Sequence, residues 1–316
     1  MWGCLWIISA WSGALAHAQR DAAVPDSAGD CREQLSEIRD QIRQLVPGDP
    51  SKADLEYRLA NAYRDCGEAL PAELAYRRHL TLAGQQHGAA HPEFVEALLD
   101  MAAFYMDQIQ PKEVQRLLTR IEQIGISPNS QPLQYADYLF MKGLVAFSNK
   151  GYPEAERHFQ EAAAILRKLP GDRSASIANA HAYLALVSSS TGRPREAIDH
   201  VRQGLSLLQG SGATADHAHA RALINLASVH HVLPRPADAE ALLRQAIEVA
   251  ISGVWVPRPI QASLLEDHAG LLRKLKRKQE AREAETLMKA LRADPGGDLM
   301  GKYSVSYSDL LQSRRQ

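Results

Sequence analysis

Small residues return along this chain at an interval of 42. Ala72, Ala155, Ala197, Ala239 and Ala281 lie on one comb, with Val114 at its second tooth. A second comb runs through Ala60, Ala102, Gly143, Ala185, Ala227 and Ala269, in steps of 42, 41, 42, 42 and 42. The combs are 12 residues apart (72 − 60). Small residues fixed in two phases mark points where helix axes come close, one on each helix of a repeated pair. The chain therefore reads as all-α, a solenoid of antiparallel helix pairs, and solenoids commonly work by offering an extended surface to a partner.

Each repeat divides into a helix A, a short turn, a helix B and a longer connection. Helix A is expected to begin near Lys52, Pro92, Pro132, Ser174, Asp216 and Pro259. Helix B is expected near Pro71, Pro111, Pro153, Pro194, Pro236 and Lys278. Proline opens five of these six B helices because the first helical turn has no use for its missing N–H, whereas a helix interior would lose about 3 kcal/mol. Gly88, Gly125, Gly171, Gly210 with Gly212, and Gly253 follow the B helices, as helix ends prefer. Before the first repeat, Asp30 and Glu33 have capping-box spacing and open a helix to about Val46 that caps the stack. The expected organisation is a signal peptide over 1–18, a disordered stretch over 19–29, a capping helix over 30–51, about six repeats over 52–294 and an extended tail over 295–316.

The first 18 residues stand outside the repeat. Residues 2–16 are uncharged and largely apolar, and Ala16-His17-Ala18 has the small-x-small form of a signal-peptidase site. The span is short of the roughly 20 residues of a membrane helix. No Lys or Arg precedes it, so an uncleaved anchor stays open beside export to a periplasm or exterior. Cleavage leaves Cys31 and Cys66, placed symmetrically about the turn Pro47-Gly48-Asp49-Pro50. Helices on either side would bring them level, so a disulfide stapling the cap is the expectation in an oxidising compartment, with two buried thiols as the alternative.

Net charge is −1, which gives no global attraction to nucleic acid or anionic membrane. The basic run Arg273-Lys274-Leu275-Lys276-Arg277-Lys278 closes a helix, where cations suit the dipole, and Glu280, Glu283 and Glu285 offset it. Twelve histidines include the pairs His217/His219, His230/His231 and His87/His91. The first two lack the i, i+4 spacing of helical metal ligands, and Gly88 and Pro92 break the helix inside the third. No nucleophile elbow, phosphate-binding loop or dinucleotide fingerprint occurs, so neither catalysis, metal nor cofactor is expected. Past Pro295, residues 302–308 (Lys-Tyr-Ser-Val-Ser-Tyr-Ser) alternate in period two and read as extended, docked on the last repeat, docked on another molecule or mobile.

Gly143, Gly151, Ala155, Phe159 and Ala162 in the third repeat, and Leu184, Ala185, Gly192, Ala197, Val201 and Gly204 in the fourth, resemble the tetratricopeptide repeat. The 42-residue period resembles the kinesin-light-chain type of that family, and His91-Pro92 after Gly88 is similar to its inter-repeat link. His79, Ile121 and Met288 depart from the second small position of helix B, and His268 stands where Leu is usual. The resemblance implies a right-handed superhelix whose concave face is lined by helix A and binds a protein or peptide. The positions it implies are Tyr57, Asn61 and Arg64; Leu99 and Met106; Phe140, Leu144 and Phe147; Ala182, Leu186 and Ser189; and Ile224, Ser228 and His231. The groove is expected to be apolar around Phe140, Leu144 and Phe147, unless these pack between helices. A structural protein that self-associates through the ends of the stack or the tail is the alternative function.

Overall fold

The computed structural model describes residues 28–210, 217–251, 256 and 258–293. A capping helix, α1 (Ala28–Gln44), precedes six helix pairs. The A helices are α2 (Lys52–Asp65), α4 (Pro92–Asp107), α6 (Pro132–Ser148), α8 (Ser174–Ser190), α10 (His217–Ala227) and α12 (Arg258–Lys274). The B helices are α3 (Ala69–His87), α5 (Pro111–Ile124), α7 (Tyr152–Leu166), α9 (Pro194–Gly210), α11 (Pro236–Ile251) and α13 (Lys278–Ala293). There is no strand among the described residues, and the chain is an all-α solenoid. The expected signal peptide, most of the disordered stretch and the tail lie outside the described residues.

Each A helix packs on its own B helix and on the B helix before it, and α1 covers the open side of α2. Both combs sit at these crossings: every tooth is buried, Val114 included. Two of the departures from the repeat pattern beside the combs have polar partners. His79 is buried with Nδ1 2.8 Å from the Ala53 carbonyl and its ring tilted on Tyr57. Buried His268 holds Nε2 3.3 Å from Glu240 Oε1. Ile121 is simply enclosed.

The A–B turns repeat as closely as the helices. The residue seven past the helix A comb adopts left-handed backbone in five repeats: Gly67 (φ 77°), Ile109 (φ 55°), Lys150 (φ 62°), Gly192 (φ 74°) and Lys276 (φ 62°). Around it run two C-terminal capping bonds. The first joins Glu68 N to Tyr63 O, Gln110 N to Tyr105 O, Gly151 N to Ala146 O, Arg193 N to Ser188 O and Arg277 N to Leu272 O, at 2.8–2.9 Å. The second donates from each left-handed residue to the carbonyl three before it, at 2.9–3.2 Å.

The fifth repeat places Pro234 at this position. Proline is fixed at negative φ and has no N–H, so neither bond can form. The turn is rebuilt instead. Helix α10 stops at Ala227, and a 3-10 turn follows over His230–Val232. Ser228 Oγ donates to Asn225 O at 2.7 Å and His230 Nδ1 lies 3.1 Å from Ala227 O, so side chains take carbonyls left at the helix end.

Ile109 carries the left-handed strain with its side chain 70% exposed, so nothing offsets it by packing. Ile109→Gly is expected to raise stability by about 1 kcal/mol. Chemical denaturation reads this directly, and an unchanged or lower midpoint counts against a strained turn.

Candidate functional site on the helix A face

Counting six residues back from the helix A comb gives Asp54, Glu96, Asp137, Asn179, Arg221 and Ser263. Every repeat is polar at this position. Asp137 (3% exposed), Asn179 and Arg221 (5%) are nevertheless buried. Four residues on, one helical turn along the same face, stand Asp100, Tyr183 and Asn225, all buried. The column is continuous between repeats: Asn225 Nδ2 donates to Asn179 Oδ1 at 2.7 Å, joining α10 to α8.

Charges on this face act across several repeats. Arg221 on α10 feels Tyr183 on α8, Arg64 and Tyr57 on α2, and Asp107 on α4. The A helices therefore converge on one inner side. Burial lowers the Arg221 pKa, against the opposing pull of Tyr183 and Asp107. Burial likewise pushes the Tyr57 hydroxyl well up, helped by the Asp100 charge. Neither carboxylate oxygen of Asp137 is hydrogen-bonded, and burial drives its pKa up to about 7 despite the charges of Arg173 and Arg221. A column of carboxylate, carboxamide and guanidinium offers both donors and acceptors, which is binding chemistry for an extended chain.

The positions implied by the resemblance divide into two sets. Tyr57, Leu99, Met106, Phe140, Leu144, Phe147, Ala182, Leu186, Ile224 and Ser228 are buried. Phe140 meets Phe159 of α7 edge-on at 5.2 Å and Tyr183 of α8 at 5.3 Å, and Phe147 meets Tyr152 at 5.6 Å. This middle set thus packs between helices and holds the stack together, the second of the two readings that the sequence allows. Asn61, Arg64, Ser189 and His231 reach the surface at least in part. Tyr76 donates its hydroxyl hydrogen to Asn61 Oδ1 at 2.7 Å, and Arg64 donates to the Tyr76 oxygen at 3.3 Å. Ser189 Oγ and His231 Nε2, 42 residues apart, are hydrogen-bonded at 3.1 Å. Sequence reasoning passed over Asp100, Asp137, Asn179, Arg221 and Asn225. Their signal was there, in the same 42-residue register, six and two residues before the small position.

Both arginines of the basic run near 273–278 are paired with acids. Arg273 pairs with Glu285, while Arg277 donates to Glu280 at 2.6 Å and lies 3.2 Å from Glu240. His87 and His91 stack at 4.7 Å, with His91 Nδ1 accepting the Glu93 N–H at 3.3 Å as helix cap. His217 and His219 have side chains outside those described. Among the described residues no three metal-capable side chains gather, and no helix is long and apolar enough to cross a membrane. Cys66, at the end of α2, is disulfide-bonded. The side chain of its expected partner, Cys31 on α1, lies outside those described.

Residues 136–210 match the family model of the tetratricopeptide repeat. No curated protein matches the chain in sequence. Among solved structures it is similar to the apo form of RapI, 13% identical at a TM-score of 0.57, over 84% of this chain and 92% of that one. Aspartyl phosphate phosphatase F from Bacillus subtilis is similar at 15% identity and TM-score 0.57, over 83% and 68% of the two chains. The nearly identical repeats of a kinesin light chain from Podosopora anserina are 17% identical, at TM-score 0.46 over 66% of this chain and all of that one. At such identities the likeness is one of fold. The family match falls on the third and fourth of six helix pairs that keep one 42-residue register, and those two pairs are tetratricopeptide repeats.

Proposed function

We propose that this protein is a non-catalytic scaffold that takes an extended segment of a partner protein along its helix A face. The buried polar column from Asp100 to Asn225 carries the reading. Within it the buried Asp137 carboxylate has neither oxygen hydrogen-bonded, a costly state that the donors of a bound segment would relieve. The fold favours protein partners in general. Neither the column nor its surroundings aligns a nucleophile with a base, so binding is the chemistry that the site supports. Export is part of the proposal: the disulfide at Cys66 suits an oxidising compartment, as does the leader-like sequence at the start.

Affinity capture from the native source, followed by mass spectrometry, tests both parts. Wild-type bait is expected to enrich a partner at least tenfold over a folded Asn179→Ala/Asn225→Ala bait, and to begin at Gln19. Equal capture by the two baits would remove the helix A face as the binding site. A bait retaining residues 1–18 would remove cleavage.

A further inference from the structure

The polar column is ordered by charge. Its first three repeats carry the acids Asp54, Glu96 and Asp137, the fourth carries the amide Asn179, and the fifth carries Arg221. A segment lying on it and running from the last repeat towards the first would meet a cation, then an amide, then carboxylates. Its own charges should run the other way, acid before base.

Residues 294–316 follow α13, and beyond Lys302 their charges have this order. Asp309 precedes Arg314 and Arg315, and Tyr303, Val305 and Tyr307 alternate with serines ahead of them. Reach is sufficient, since the 16 residues from Ala293 to Asp309 span up to about 55 Å when extended. Asp137 and Arg221 lie within each other's electrostatic influence, so one segment meeting both needs its acid and base a few residues apart. Asp309 and Arg314 are five apart, at most about 18 Å of extended backbone, and the arginine side chain takes up the difference. Asp137 also supplies an observation independent of charge order. It is a buried carboxylate with no hydrogen bond to either oxygen, and a guanidinium brings two parallel donors.

We propose that residues 302–316 of this chain dock on its own helix A face, with Asp309 towards Arg221 and Arg314 or Arg315 on Asp137. The proposal rests on that face being the binding surface, and it makes the segment an internal competitor of the partner.

Limited chymotrypsin cleavage after Tyr303 and Tyr307 of the full chain tests it. The wild type is expected to be cleaved at least tenfold more slowly than a free peptide of residues 299–316. Arg314→Glu/Arg315→Glu should bring cleavage to within about twofold of the free peptide, and adding Asp137→Arg should restore protection. The doubly substituted segment leaves the helical stack untouched, so its result stands even where Asp137→Arg fails to fold. Wild-type cleavage as fast as that of the peptide would overturn the proposal, as would protection indifferent to the arginines. Protection lost on dilution would assign the segment to a second copy and overturn docking within one chain. Partner capture, measured separately, would survive any of these failures.

Discussion

Phe159→Ala is expected to cost about 3–5 kcal/mol, the range for emptying a buried aromatic site. Phe159 is wholly enclosed, edge-on to Phe140 at 5.2 Å and stacked on Tyr183 at 5.2 Å. These three rings come from α7, α6 and α8, so they join the third repeat to the fourth. The ring has room only because the comb residue beneath it is glycine. A Cβ on Gly143 would lie 2.6 Å from Phe159 Cε1 and 2.8 Å from Cδ1, closer than carbon atoms approach. Gly143→Ala should therefore destabilise the wild type by about 1–3 kcal/mol through overpacking. In the Phe159→Ala background the obstruction is gone. The same substitution should then stabilise by about 0.5–1 kcal/mol, because alanine is the better helix former. Urea denaturation of the four proteins measures this cycle. A Gly143→Ala effect with the same sign in both backgrounds would refute the proposed contact.

That contact shows why the fold was legible at the level of single residues. The comb needs small side chains where axes cross, and at Gly143 even a methyl group would meet the Phe159 ring. Helix starts were legible for an equally local reason. Prolines at 111, 153, 194 and 236 sit within the first two residues of their helices, and Lys52, Pro92, Pro132 and Ser174 open theirs as expected. Pro71 lies deeper, in a helix that starts at Ala69. The fifth turn was not legible, because periodicity registers side-chain faces and not backbone sign. Pro234 disturbs no apolar stripe, yet it occupies the one position where the turn needs positive φ. The candidate site was harder to read for a related reason. A search for apolar residues on helix A finds Phe140 and Leu144, which are needed by the core. The face that remains is polar, and polar residues on a helix ordinarily signal solvent. Burial of Asp137 and Arg221 follows from the convergence of five A helices, which no single repeat contains.

The second large effect is acid sensitivity at the junction of the third and fourth repeats. Buried His181 on α8 has Nε2 2.8 Å from Nη2 of Arg167, the residue that caps the end of α7, and Nδ1 3.1 Å from His200 Nδ1 of α9. Arginine only donates, so His181 Nε2 accepts and its proton sits on Nδ1, directed at His200. The assignment follows from the hydrogen-bond network. A second proton on His181 would face the guanidinium. Burial first, then the His200 and Arg167 charges, bring its pKa down from 6.5 to about 4. His200 is also lowered, chiefly by burial, although Glu156, Glu196 and Asp199 pull upward against Arg193. The folded state thus binds fewer protons than the unfolded chain between pH 6.5 and 4. The stability contributed by neutral His181 is complete above about pH 6.5 and is lost as pH falls to about 4. Two and a half pKa units amount to about 3 kcal/mol. Asp137, raised to about 7, and Asp267, raised to about 6, work in the opposite sense, because their protonated forms are favoured in the fold. A difference measurement removes them. His181→Gln keeps an acceptor for Arg167 and a donor for His200 but does not titrate. Denaturation of both proteins at pH 7, 5.5 and 4 should show the wild type losing about 3 kcal/mol relative to the variant across that range. Parallel pH profiles would mean that the fold does not hold His181 neutral, and that acid reaches this junction without loosening it.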